Sequence, residues 1–513
     1  MESLVVPGML HAAAKAVPET IALILDGDRE LTYGRWRERA DRFAVALQTR
    51  GVKQADRVGL VYSGGDWLDY AVAYFGVLTC GATAVLLSGQ PPADKLARLA
   101  VTYRLALVVV GSGDVGSSEA CAVLRHADLE GGVEPGAKPR PVTIGPDDVA
   151  EIIFTSGTQG LSKGVEATHR SMLYRSKRPD PRVLMHPLPL GSAAAQMLMV
   201  DAVRGHQTLV VMSEFHPGRF CRLVIAHEPC WIGMAPAVGA MLVRAGAHRR
   251  FRLSSVTGVT FVSAPLQPAT LGQLSLLFPA ATIRNYYSST EAAPAGVGTV
   301  FDPARPLSVG RPDDGCEVRV VDDDGDEVAA GVRGEVLLRA EGAGTRRYAD
   351  DQAATDRTFR DGWVRTGDIG YLDDDGYLFL VDRRADTINA GGMKISTLEV
   401  EHALGQHPSV LEVAVFGRRH PVLGEVVEAA VIVDPESPGT DSAALIRFCA
   451  ERLARHQVPA RVHLVDDFPR NALGKPLKRV LAERAADAGG RERAGEEKND
   501  GRTRSGRELS ALG

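Results

Sequence analysis

A chain of 513 residues exceeds what one compact core holds, so two or three domains are expected, and an apolar share of 45% with 24% charged residues excludes general disorder. The formal net charge of -5 provides no broad positive field, which sets nucleic acid aside as a main partner. Six cysteines, Cys80, Cys121, Cys221, Cys230, Cys316 and Cys449, stand far apart without a CxxC pair, which argues against a zinc site or disulfide framework and for reduced thiols.

In chain order, the N-terminus carries no basic segment followed by a long apolar stretch, and no run nears the roughly 18 to 20 apolar residues of a membrane span. A soluble, cytoplasmic protein with no membrane partner is expected. From about residue 30 to 110, amphipathic segments such as LTYGRWRERADRFAVALQTRG alternate with the β-rich runs DRVGLVYSG, ATAVLL and LALVVVG. This is the pattern of strands crossed over by helices. A second round follows with EIIFTS, TLVVMS, GVTFVSA and ATIRNYY, so two α/β layers are predicted. Between about 315 and 382, CEVRVVDDDGDEV, GEVLLRA and GYLDDDGYLFLVD read as hairpins of a β-rich subdomain. After Arg383 a compact unit runs to about 484. It has LEVEHALGQHP and DSAALIRFCAERLARH as helices and VLEVAVFGRR and VVEAAVIVD as strands. The Gly- and charge-rich residues 485–513 lack apolar periodicity and read as a disordered tail. The fold class expected is α/β: a large domain over 1–382, a hinge at 383–386 and a small α+β domain over 387–484.

The strongest local signal is EIIFTSGTQGLSKGVEATHR, where a β-run ends and Gly157, Gly160 and Gly164 interleave with Thr155, Ser156, Thr158 and Lys163. Glycine lets the backbone approach a ligand closely, consecutive N–H groups and hydroxyls can surround phosphate oxygens, and a lysine adds charge neutralisation. The spacing is not that of a Walker loop. TSGTQGLSKGV resembles the phosphate loop of the adenylate-forming superfamily of acyl-CoA synthetases, luciferases and peptide-synthetase adenylation domains. The resemblance extends over about residues 20 to 484 through further blocks in the expected order, and is nearest to the acyl-CoA synthetases.

In NYYSSTEAAPAG the resemblance implies Tyr287 against adenine beside Asn285 and Tyr286, Thr290 near the phosphates, and Glu291 holding Mg2+, the task of a carboxylate toward a hard cation. VSAPL implies a nucleotide contact at Ser263, Ala264 and Pro265. WVRTGDIGYLDDDGYLFLVDRRAD resembles the ribose-binding turn and hinge, with Asp368 accepting both ribose hydroxyls and Arg383 near ribose or phosphate. NAGGMKISTLEVE resembles the glycine loop that lines the thiol channel, through Gly391, Gly392 and Lys394. DFPRNALGKPLKRVL carries the match to the mobile lysine, Lys475, whose ammonium offsets repulsion between the acid carboxylate and the α-phosphate.

The resemblance implies an ATP- and Mg2+-dependent ligase that forms an acyl-AMP from a small-molecule acid. The small domain then rotates about residues 383–386, and a thiol, that of coenzyme A, takes the acyl group. Departures cluster around the acyl pocket. Gln159 and Ser162 replace the usual Thr and Pro, and Gly191–Ser192 stands where relatives carry an aromatic and a His. Ser263 and Ser288 stand at positions often occupied by glycine, and Ala385 replaces the usual Asp or Lys of the hinge. Ser288 would shorten the pocket and suggests a small or medium acid. Three alternatives stay open: transfer to a carrier-protein thiol or an amine, activation of another oxyacid such as nitrite, and a non-catalytic nucleotide-binding relative.

Overall fold

The computed structural model describes residues 5–87, 91–113, 120–155, 163–174, 179–262, 268–302, 304–305, 307–340, 346–384, 386–434, 439–471 and 474–486. Its first sheet has seven strands among the described residues. Within it Arg57–Val61 is flanked by Thr83–Leu86, the central strand, and Leu105–Val110, all parallel. Both faces are covered by helices, so runs such as LALVVV are apolar throughout and do not alternate. On one side the parallel order ends with Val149–Phe154, followed by the antiparallel Gly164–Thr168 and Arg347–Tyr348.

The second sheet starts with a parallel run, in the order Thr282–Tyr287, Gly258–Val262, Trp231–Met234, Val183–His186, Thr208–Val211 and Ile21–Leu25. The hairpins over 316–383 extend this same sheet as antiparallel strands, so the β-rich region is continuous with the second layer. Its DDDG turns close through aspartate side chains. Asp322 Oδ1 accepts from Asp324, Gly325 and Asp326, and Asp373 Oδ1 accepts from Asp375 and Tyr377. The core between the sheets is filled by helices. Tyr33–Thr49 is capped by Thr32, whose Oγ1 accepts from Arg35 N at 3.3 Å, and it buries Tyr33, Trp36, Ala40, Phe43, Ala44 and Leu47 at helical spacing. Trp67–Thr79 is buried along nearly its whole length.

The chain divides into two compact units, with the main boundary between Leu380 and Val381. The second unit has its own core, in which Ile388, Ile395, Val400, Leu404, Val415, Val431, Leu445 and Cys449 meet. Val410–His420 pairs antiparallel with Gly424–Val433, and Arg461–Leu464 adds a parallel strand that the sequence pattern did not reveal. The segment read as one helix over 441–456 is helical only at Ser442–Ala450. It starts at the Asp441 cap, and beyond Ala450 the backbone tightens, with Arg452 N donating to Cys449 O three residues back, before the chain comes round to Arg461–Leu464. Residues 487–513 lie outside the described residues, but Ala485 is buried with Phe468 and Leu481 and belongs to the folded unit. No helix among the described residues is long and apolar enough to cross a membrane. None of the six cysteines is in a disulfide.

Candidate active site

Strand Val149–Phe154 runs into the phosphate loop and Gly164–Thr168 runs out of it, with Phe154 opposite Gly164 and Thr155 N donating to Lys163 O at 3.0 Å. Gly164 is required by packing, since a Cβ there would stand 2.7 Å from Ile152 and 2.8 Å from the Tyr103 ring, whose hydroxyl accepts from Gly164 N at 3.0 Å. Ser156, Gly157, Thr158 and Gly160 lie outside the described residues, as do Ser263, Ala264, Pro265 and Ala385.

Tyr348, on the strand paired with the outgoing arm, lies next to the loop. Lys163 Nζ sits 4.8 Å above its ring and 3.9 Å from Asp351. The Tyr348 hydroxyl donates to Glu291 Oε1 at 3.0 Å, and burial together with the Glu291 charge pushes its pKa up. Behind the Thr290–Glu291 turn, the buried Arg346 donates to Thr290 O at 2.9 Å and faces the charges of Glu151 and Glu291. Glu151 accepts from the Tyr74 hydroxyl at 2.8 Å. Its burial raises the carboxyl to about 7 against the opposing pull of Arg346. The loop and the Thr-Glu block, more than a hundred residues apart, are thus joined through the 346–351 segment.

Asp368 is 5% exposed and takes a hydrogen bond of 2.6 Å from the Tyr287 hydroxyl. It follows Gly367, at φ 73°, while Thr366 Oγ1 donates to Val336 O and accepts from Asp368 N. Asn285 and Tyr286 lie on the same strand as Tyr287, paired with Phe261 and Val262 on one side and with Thr299 and Gly298 on the other. A polar cavity of about 270 Å³ runs from Glu291, Tyr348 and Ser289 to Arg365, Thr366 and Gly367. It joins the carboxylate of one block to the turn that presents the carboxylate of the other.

Ser288 Oγ donates to Ala295 O at 2.6 Å, so its hydroxyl is engaged within its own loop. Gly191 stands at φ 80°, and Ser192 caps helix Ala193–Gly205 by accepting from Ala195 N at 3.3 Å. These two residues build a turn and a helix start. In the second unit, Gly391 and Gly392, at φ 60° and 85°, make the two-residue turn between Ile388–Ala390 and Met393–Ile395, where Lys394 is exposed. Arg383 ends strand Leu378–Arg383, its side chain exposed. Lys475 lies in a turn in which its N–H donates to Asn471 Oδ1 at 2.9 Å.

Sequence reasoning missed Tyr348, Arg346 and Glu151. A glutamate inside the apolar run VAEIIF and a tyrosine after two arginines were the available signals, and only the tertiary contacts give them meaning.

The AMP-binding enzyme family matches residues 10–348, and the AMP-binding enzyme C-terminal domain matches 399–475. A 2-succinylbenzoate–CoA ligase of Geobacillus kaustophilus is 31% identical over 93% of this chain and 97% of its own length. Among solved structures, ATP-bound MatB from Rhodopseudomonas palustris superposes with a TM-score of 0.82 at 24% identity, covering 94% of this chain and 99% of MatB. The amide bond synthetase McbA from Marinactinospora thermotolerans superposes with a TM-score of 0.80 at 25% identity, covering 93% and 99% of the two chains.

Proposed function

The chain belongs to the AMP-binding enzyme family and is an AMP-forming ligase, and from that premise we propose that it activates a small or medium carboxylic acid as an acyl-AMP and passes the acyl group to coenzyme A. The observation that carries the reading is a polar cavity in the first unit lined by Glu291, Tyr348 and Gly367, with Lys163 over the Tyr348 ring and with Asp368, next after Gly367, held by the Tyr287 hydroxyl.

Each residue then has a chemical task. Asp368, held by the Tyr287 hydroxyl, accepts the ribose hydroxyls, and the Tyr287 ring lies along adenine. The backbone of Thr155, Ser156, Gly157, Thr158 and Gly160 with Lys163 surrounds the phosphates. Among the described residues no group of three or more His, Cys, Asp or Glu side chains is placed to hold a metal. Glu291, a single carboxylate with one oxygen taken by Tyr348, would hold Mg2+. The chemistry such an ion would supply there is neutralisation of phosphate charge. Lys475 brings its ammonium between the attacking carboxylate and the α-phosphorus. After pyrophosphate leaves, Arg383 and the 383–386 segment swing the small unit, and Gly391, Gly392 and Lys394 line the path of the incoming thiol.

The test is ATP–pyrophosphate exchange over a panel of acids. Exchange with one class of acid, abolished by Lys475→Ala, followed by AMP and thioester release on adding coenzyme A, is the expected result. Turnover only with an amine or a carrier protein would replace the acceptor, a reading favoured by the likeness to an amide bond synthetase. Absence of exchange with every acid would leave a nucleotide-binding relative without this chemistry.

A further inference from the structure

Lys475 is carried by a short turn, and a lysine on a turn has two sources of imprecision: its own rotamers and the backbone beneath it. The described backbone on both sides of it is tied by hydrogen bonds. Asn471 N donates to Lys475 O at 3.0 Å, Gly474 N donates to Asn471 O at 2.9 Å, and Leu477 N donates to Pro469 O at 2.7 Å. Gly474 stands at φ 78°, which turns the chain immediately before the lysine. On either side the segment is sunk into the second unit, with Phe468 and Leu481 buried against Ala414, Phe416, Ala430 and Ile432.

Two further cations flank the turn, and neither faces open solvent. Arg470 Nη1 donates to Gly474 O at 3.0 Å, the carbonyl directly before Lys475, while Nη2 of the same fork reaches Glu412 Oε1 at 2.9 Å and Asp467 Oδ1 at 3.2 Å. On the other side Lys478 Nζ donates to Glu401 Oε1 at 2.8 Å and to Thr397 Oγ1 at 2.7 Å. The two ion pairs end on adjoining elements, strand Val410–His420 and helix Thr397–Gly405. Glu412 belongs to Val410–His420, and Glu401 accepts in turn from Val415 N of that strand at 2.9 Å. The side chains of Arg470 and Lys478 are 15% and 19% exposed, so these are partly desolvated contacts with fixed geometry.

We propose that Arg470 and Lys478 are positioning residues for adenylation: a two-point clamp that fixes the Lys475 turn against strand Val410–His420 and helix Thr397–Gly405. The inference rests on the reading of Lys475 as the lysine of the first half-reaction. A clamp of this kind acts on where the ammonium is delivered, since a misplacement of about 1 Å costs on the order of a hundredfold in rate. It leaves ATP affinity nearly untouched, because neither side chain is among the nucleotide-binding residues. It also spares the second half-reaction, in which Lys475 is withdrawn.

The experiment uses the full chain with Arg470→Met, Lys478→Met, Lys478→Arg and, as reference, Lys475→Ala. Pyrophosphate exchange is measured with the acid that the panel selects. Transfer from supplied acyl-AMP to coenzyme A, or to whichever acceptor the unaltered chain uses, is measured separately. Both Met variants should lose about a hundredfold in the exchange kcat. Their KM for ATP should stay within about threefold and acyl transfer should be retained, since only the adenylation geometry is disturbed. Lys478→Arg should recover most of the loss. If a Met variant does not fold, Glu412→Gln, which removes the charge that Arg470 grips, should show the same split between half-reactions. Exchange unchanged in Arg470→Met while Lys475→Ala abolishes it overturns the clamp alone. So does an equal fall in both half-reactions. Exchange retained in Lys475→Ala, or absent in the unaltered chain with every acid, overturns the functional reading and the clamp with it.

Discussion

In the role proposed for Glu291 toward Mg2+ the carboxylate needs a neighbour to aim it, and the Tyr348 hydroxyl, 3.0 Å from Glu291 Oε1, has that geometry. Tyr348→Phe should therefore raise the Mg2+ concentration for half-maximal pyrophosphate exchange by roughly tenfold, as partners of ligating groups commonly do, and Glu291→Gln should raise it further. A magnesium titration of each variant decides this. Two buried histidines make a separate prediction about pH. His186, whose Nδ1 accepts from Leu188 N and whose ring meets Trp67 at 5.4 Å, is pushed by burial from 6.5 down to about 3. His169, whose Nδ1 accepts from Val6 N, is likewise pushed down to about 4. Above the unfolded value both are neutral in either state and contribute no pH dependence. Below it the unfolded chain binds protons that the folded chain refuses, so stability falls as pH drops from 6.5 toward 4. At pH 5 the loss is about 2 kcal/mol for each histidine. Melting midpoints between pH 7.5 and 5 should show the decline, and His169→Gln should flatten part of it.

At the scale of elements, the strand pair around the phosphate loop was readable because EIIF and GVEAT carry apolar, β-branched residues on either side of a glycine-rich turn. The pairing of Phe154 with Gly164 also demands a residue without a side chain. Gly164→Ala should cost about 1 to 3 kcal/mol through overpacking against Ile152 and Tyr103, and it should weaken ATP binding because the outgoing arm shifts. Chemical denaturation and an ATP titration measure the two effects. Ser288 sits in the loop after strand Thr282–Tyr287 and is tied to Ala295 O. Ser288→Gly should move acid preference toward longer chains, and an unchanged chain-length profile would show that this side chain does not line the pocket. The helix over 441–456 was overread because the apolar spacing of its first half continues into Leu453. The backbone instead turns at Cys449, since the chain must return to pair Arg461–Leu464 with the long hairpin.

For the whole molecule, Glu291 and Asp368 belong to the first unit and Lys475 with the glycine hairpin to the second, so the proposed half-reactions divide between the units. If that division holds, Lys475→Ala should abolish acyl-AMP formation yet still pass a supplied acyl-AMP to its acceptor, which a stopped assay for each step would show. The sequence by itself determined the fold class, the family blocks and much of the strand and helix order, because periodicity, glycine turns and short motifs are local properties written in neighbouring residues. It also pointed to Asp368, Glu291 and Lys475, each embedded in a motif of its own. Only the tertiary structure decided that Glu291 is held by Tyr348, that Arg346 and Glu151 lie buried behind it, and that the β-rich hairpins prolong the second sheet. Those facts depend on which residues meet across more than fifty positions of chain. A contact of that kind is set by how whole layers pack, and leaves no periodic trace in the segments that make it.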